Sequence, residues 1–123
     1  MVRSEQPLDR AMEQALEQRH CTPCQGGVPP LDEAAARAYL AHRPDWQLAA
    51  DAKRIQRAFR FKNFAQALDF VNAVGAVAEA EGHHPDIHFG WGYVTVSLQT
   101  HKIDGLHEND FILAAKVDAL PRP

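Results

Sequence analysis

The chain has 123 residues and a formal net charge of -3, with acidic and basic side chains interspersed. That length holds one domain with a modest core, and without a basic block there is no electrostatic case for a nucleic-acid partner. No apolar run reaches the length of a membrane span and residues 1–6 form no apolar signal region, so the expectation is a soluble cytoplasmic protein with no membrane partner.

Residues 1 to about 19 read as a short helix, with Leu8, Met12, Ala15 and Leu16 on one side. Residues 20–30 form a linker rich in Cys, Gly and Pro. Its Cys21 and Cys24 have the spacing of half a zinc site or of a redox pair. No second Cys pair is present, and Gly26, Gly27, Pro29 and Pro30 follow where a thioredoxin-like motif would start a helix. A loop knuckle with free thiols is the plainer reading. We therefore divide the chain into a polar N-terminal extension with its linker, 1–30, and a single domain, 31–123.

Asp32 offers a helix cap, with Glu33 in the first turn where the helix dipole favours an acid. This helix runs to about Arg43, turns Ala36, Tyr39 and Leu40 inward, and ends at Pro44. Trp46 and Leu48 suggest a short strand. From Arg54 to Lys62 the pattern alternates, with Ile55, Phe59 and Phe61 on one face. Arg57 interrupts that face, which suggests an edge or a bulge. Asn63 and Gln66 have roughly the spacing of a capping box. The long helix that follows carries a stripe of Phe64, Leu68, Val71, Gly75 and Ala78, widened by Phe70, Val74 and Val77. An apolar belt that broad suits a sheet on one side and a second subunit on the other. Gly82 ends it. Ile87 and Phe89 suggest a brief strand, Gly90 to Gly92 a turn, and Val94, Val96 and Leu98 the inward face of the next strand. Glu108 to about Leu120 reads as the last helix, with Phe111, Ile112, Ala115 and Leu120 apolar. The order α-β-β-α-β-β-α predicts an α+β fold, a four-stranded antiparallel sheet with helices packed on one face.

Chemistry concentrates between Glu79 and Asp110. His83 and His84 stand where the long helix ends, and His101 stands where the last strand ends. Imidazole is the side chain best suited to moving protons near neutral pH. Glu79 precedes His83 by one helical turn, close enough to hold an imidazole tautomer. Asp110 lies at the positive end of the last helix and on its own would be read as a capping acid. His88 and His107 are expected to be buried and satisfied by backbone carbonyls, and His42 to be exposed on a helix. A metal site built from His83, His84 and His101 is the weaker alternative, because adjacent histidines rarely serve one ion.

The residues Glu79, His83-His84-Pro85, Val94 to His101, Gly105-Leu106 and Asp110, with Asn63-Phe64 and Pro44-Asp45-Trp46 upstream, resemble the pterin-4a-carbinolamine dehydratase family, bacterial type. The resemblance covers roughly residues 31–120, and the Cys21 to Gly27 leader is similar to bacterial members. It implies dehydration of a 4a-hydroxytetrahydropterin to quinonoid dihydropterin and water, which recycles the pterin used by aromatic amino acid hydroxylases. It implies His83, His84 and His101 as catalytic residues, with His84 and His101 moving protons and His83 orienting the hydroxyl region. Glu79, Pro85, Thr100 and Asp110 would bind substrate or orient imidazoles, with no metal and no cofactor. It further implies a homodimer or homotetramer and a partner hydroxylase. Some members also serve as a dimerisation cofactor for a homeodomain transcription factor, so a non-catalytic assembly or co-regulator role is the alternative. This chain departs from many members in having Ile87 where they carry an aromatic residue and His107 where they carry a Ser or Thr cap.

Overall fold

The structure, a computed structural model, describes residues 16–23 and 26–123. Helix α1 (Glu33–Leu40) leads into β1 (Gln47–Leu48) and β2 (Ile55–Arg60). Helix α2 (Phe64–Glu81) then crosses to the hairpin β3 (Asp86–Gly90) and β4 (Tyr93–Leu98). A single 3-10 turn (His101–Ile103) precedes α3 (Glu108–Asp118). All strand pairs are antiparallel in the order β1-β2-β4-β3. The α+β architecture expected from the sequence is the one observed. No described helix is long and apolar enough to cross a membrane.

Each element starts where its chemistry allows. Asp32 accepts from Ala35 N–H, and Asn63 accepts from Gln66 N–H. The Gln66 side chain reaches back to Lys62 N–H rather than to the cap residue, so the second half of that box is displaced by one position. The β3–β4 hairpin closes through Trp91-Gly92, where Gly92 takes φ +82, a left-handed conformation that glycine adopts without strain.

Alternation decides which face each strand buries. Ile55, Phe59, Val94, Val96 and Leu98 enter the core beside Phe70, Val74 and Phe111. The α2 stripe differs from the one expected. Its buried residues are Ala67, Phe70, Val74 and Ala78, while Phe64 and Leu68 are exposed. The apolar belt is wider than the face the sheet can cover, so the leading edge of the stripe stays in solvent. Helix α3 is enclosed almost all round, with Asn109 to Ala115 and Val117 buried. It is a central helix, which a one-sided stripe understates. Leu16 also joins the core. The expected helix stripe of Leu8, Met12 and Ala15 lies outside the described residues, as does Cys24.

The other histidine expectations need correction. His88 points to the polar sheet face opposite the helices and is exposed, because β3 places it opposite Thr95 and out of register with Ile87 and Phe89. His107 is half-buried and caps α3: its Nδ1 accepts from Asn109 N–H at 3.0 Å, so imidazole does here what a Ser or Thr would do. His42 is half-buried in the turn after α1.

Arg57 sits on the core face without a bulge, in unbroken register opposite Val96. β1 pairs with only the first two residues of β2, so Arg57 lies where the sheet thins to an edge. Its Nη1 donates to Asp118 at 2.6 Å. Asp118, at the end of α3, also accepts from Trp46 Nε1 at 2.9 Å and Arg43 Nη1 at 3.1 Å. One carboxylate therefore ties the turn after α1, the start of β1, β2 and α3 together. Arg43 is buried and its Nε has no partner. Asp118→Ala would leave this guanidinium largely uncompensated. We expect a loss of about 3–5 kcal/mol in denaturant unfolding; a loss under about 1 kcal/mol would show that the cluster carries little of the stability.

Candidate active site

The end of α2 positions the first histidine. Gly82 takes φ +65, Gly82 N–H donates to Glu79 C=O and His83 N–H to Ala78 C=O. This is the paired closure of a left-handed helix terminus, which a Cβ would strain. The chain leaves the helix with His83 directed inward. Its Nε2 lies 2.6 Å from Asp110 Oδ1. The Asp110 side chain is 0% exposed. Its second oxygen accepts from Thr100 Oγ1 at 2.8 Å and His107 N–H at 3.0 Å. Three donors match the acceptor-only capacity of a carboxylate, so His83 donates through Nε2, and Nδ1 is the ring nitrogen that Asp110 does not engage.

His84 turns the other way. Its Nε2 meets Glu79 Oε2 at 2.5 Å, with both side chains exposed. Glu79 therefore pairs with His84 and not with His83, as the helical-turn spacing had suggested. The left-handed Gly82 breaks that spacing, and His83 finds its carboxylate on α3 instead. His101 opens the 3-10 turn after β4, and its Nε2 is 3.8 Å from Asp86 Oδ2, beyond hydrogen-bond reach.

His83, His84, Thr100 and His101 line one cleft of about 380 Å³. Of the other expected site residues, Asp110 lies buried behind His83, Glu79 lies beside His84, and Pro85 is the half-buried link into β3. None of these three lines the cleft. Among the described residues no group of three or more His, Cys, Asp or Glu is placed to hold a metal ion.

Sequence reasoning missed the leader's place here. Thr22 and Pro23 also line the cleft. Cys21 N–H donates to Glu81 Oε1 at 2.7 Å, and His20 Nδ1 lies 2.9 Å from Glu81 Oε2. Burial first, then the Glu81 and Asp110 carboxylates, push the Cys21 thiol up to about 12. It stays protonated near neutral pH, a packing group rather than a nucleophile. Asp86 and Asn109 were also missed. Only their positions, next to the His-His-Pro motif and to Asp110, hinted at them.

With this geometry established, similarity to known proteins is informative. The family model for pterin 4 alpha carbinolamine dehydratase matches residues 29–120. A protein of Cupriavidus pinatubonensis, provisionally named a pterin-4-alpha-carbinolamine dehydratase, is 58% identical over 89% of this chain and 94% of its own. One from Methylococcus capsulatus with the same provisional name is 59% identical over 86% of this chain and 93% of its own. A crystal structure of a transcriptional coactivator/pterin dehydratase from Brucella melitensis superposes with a TM-score of 0.69 at 32% identity, covering 73% of this chain and 96% of that one. A pterin dehydratase-like protein described as a RuBisCO assembly factor in the alpha-carboxysome matches with a TM-score of 0.53 at 32% identity, over 61% of this chain and 87% of that one. The chain belongs to the pterin 4 alpha carbinolamine dehydratase family.

The leader's anchor gives the site a pH signature. Burial alone would raise Glu81, but the Cys21 N–H, His20 and Lys116 outweigh it and hold the carboxyl below its ordinary value of 4.5. A folded value below the unfolded one adds stability above the unfolded value, and that stability is lost as pH falls through the folded value. We expect the wild-type melting temperature to fall more steeply below about pH 4.5 than that of Glu81→Gln. Identical acid limbs would assign the acid sensitivity to other carboxylates.

Proposed function

We propose that this family member dehydrates a 4a-hydroxytetrahydropterin to the quinonoid dihydropterin. The observation that carries this reading is that the ends of α2 and β4 bring His83, His84, Thr100 and His101 to one cleft. In the reaction the bond from C4a to its hydroxyl oxygen breaks. One proton goes to the departing oxygen, another leaves the adjacent ring nitrogen, and that nitrogen's electrons form the new double bond to C4a. Water is the second product. Two proton carriers and one orienting group suffice, with no metal or cofactor in any step.

His84 and His101 are the proposed proton carriers. Both are exposed at the cleft and can re-equilibrate with water after each turnover. His83 is the proposed orienting group: Asp110 engages one ring nitrogen and leaves the other to bind the hydroxyl region. Thr100 contributes by fixing Asp110. Glu79 holds the tautomer of His84, and Pro85 restricts His84 to an extended backbone beside it. The same reading places the enzyme in the cytoplasm with an aromatic amino acid hydroxylase upstream.

Exposed Phe64, Leu68, Trp91 and Tyr93 supply apolar surface for a homodimer or homotetramer. They also favour the second reading, an assembly or co-regulator role, which the carboxysome relative's description makes relevant. A complete histidine set at the cleft favours catalysis over a purely assembling member.

The test is to generate the 4a-hydroxytetrahydropterin with a hydroxylase and follow its decay by absorbance. The protein should accelerate decay, and His84→Ala or His101→Ala should each lower kcat by about a hundredfold or more with unchanged circular dichroism. No acceleration by folded wild-type protein would move the function to the assembly reading.

A further inference from the structure

The proton chemistry uses the ends of α2 and β4, yet the cleft they form is also lined by Thr22 and Pro23 from a leader far away in sequence. The leader is held by dedicated side chains. Asn109, only 2% exposed, commits its whole amide to the backbone of Thr22: Oδ1 accepts Thr22 N–H at 3.0 Å, and Nδ2 donates to Thr22 C=O at 2.7 Å. A neighbouring β-strand would offer the same pair of bonds; here a side chain supplies them. One residue earlier, Glu81 accepts Cys21 N–H, and the Cys21 thiol donates to Asn109 C=O at 3.5 Å. Upstream, Leu16 is buried in the core. The leader is therefore fixed at residue 16 and again at 20–22.

Pairing with Thr22 satisfies the buried Asn109 amide, but Thr22 and Pro23 are themselves exposed, so core packing does not account for where their side chains are held. What the anchors achieve is a fixed position for Thr22 and Pro23 at the cleft. Asn109 is also the neighbour of Asp110, so consecutive residues in the first turn of α3 hold Thr22 and His83. One rigid turn sets the distance between the leader and the histidine.

We propose that residues 20–23 form a substrate-contacting wall of the active cleft, with Thr22 and Pro23 bearing on the bound pterin and Asn109 acting as their positioning residue. The proposal rests on the dehydratase reading and deepens it. Pro23 offers an apolar ring and Thr22 a hydroxyl, a pairing suited to a flat heterocycle with polar edges. A wall that touches ground state and transition state alike contributes uniform binding, so its loss should appear in KM and leave the chemical step intact.

The experiment compares wild type, Asn109→Ala and Pro23→Gly in steady-state dehydration. In parallel, equilibrium dialysis measures the dissociation constant of 7,8-dihydrobiopterin, which has no 4a-hydroxyl to lose. Each variant should raise KM and that dissociation constant by about five- to tenfold, with kcat within about twofold of wild type. Pro23→Gly leaves every anchor in place and keeps the test valid if Asn109→Ala fails to fold. Unchanged KM and binding in folded Pro23→Gly, or a fall in kcat at constant KM, would overturn the wall. A wild type that binds dihydrobiopterin without accelerating dehydration would overturn the catalytic reading alone, and the variants' dissociation constants would then decide the wall. A wild type that neither binds it nor accelerates dehydration would overturn both.

Discussion

The Asp110 carboxylate is the constraint on which the site depends. It is fully enclosed and gathers donors from three places: the residue after the α2 terminus, the end of β4 and the backbone before α3. A buried charge is tolerated only when its lone pairs are filled. Meeting that requirement forces the end of α2 and the end of β4 toward the start of α3. The cleft lies where those three ends meet. Fold and site are thus set by one electrostatic demand, and the geometry around His83 cannot relax without exposing or orphaning Asp110.

At the opposite end of α3 the logic repeats with another purpose. Asp118 gathers Trp46, Arg43 and Arg57 where β1 is too short to protect the sheet edge. The Arg57 guanidinium also lies 4.4 Å from the Phe59 ring centroid, so an edge that would expose aromatic surface is covered by a paired cation. One helix carries in its first turn the carboxylate that holds His83, and at its last residue the one that gathers Arg43, Trp46 and Arg57. Its near-complete burial between them holds both at fixed positions.

Much of this was legible in the sequence because the signals were local. Strand alternation, the Asp32 and Asn63 caps, Gly82 as terminator and the order of elements each follow from residues within a few positions of one another. The histidine cluster was legible for the same reason: helix ends and strand ends are marked by glycine, proline and the loss of period. What escaped was long-range pairing. The spacing from Glu79 to His83 suggested a partnership that a left-handed glycine redirects, so that His83 pairs across 27 positions with Asp110. Arg57 looked like a defect in an apolar face until Asp118 supplied its counter-charge. His107, expected to be buried and satisfied by a carbonyl, instead caps α3 through Asn109 N–H, and the α2 stripe is shifted because propensity cannot say which part of a wide belt the sheet will cover. Residues 20–23 carry no periodic signal, since their attachment depends on Glu81 and Asn109 and not on their own composition.

The histidines differ in a way that bears on their proposed roles. The His83 and Asp110 side chains are 12% and 0% exposed, whereas those of His84 and Glu79 are 60% and 78% exposed, and those of His101 and Asp86 68% and 67%. Charges near water attract weakly and are screened by salt, while a pair shielded from water is held firmly. The His83 ring is therefore held in position, which suits a group that orients. His84 and His101 sit in weak, solvated pairs, so a proton gained or lost there disturbs little of the fold. A dehydration needs one proton delivered and one removed in each cycle, and both must be restored from solvent. A half-buried imidazole paired with a buried carboxylate would serve that exchange poorly, and two exposed ones beside it would serve it well. The gradient of burial across the cleft thus supports the assignment of orientation to His83 and proton transfer to His84 and His101.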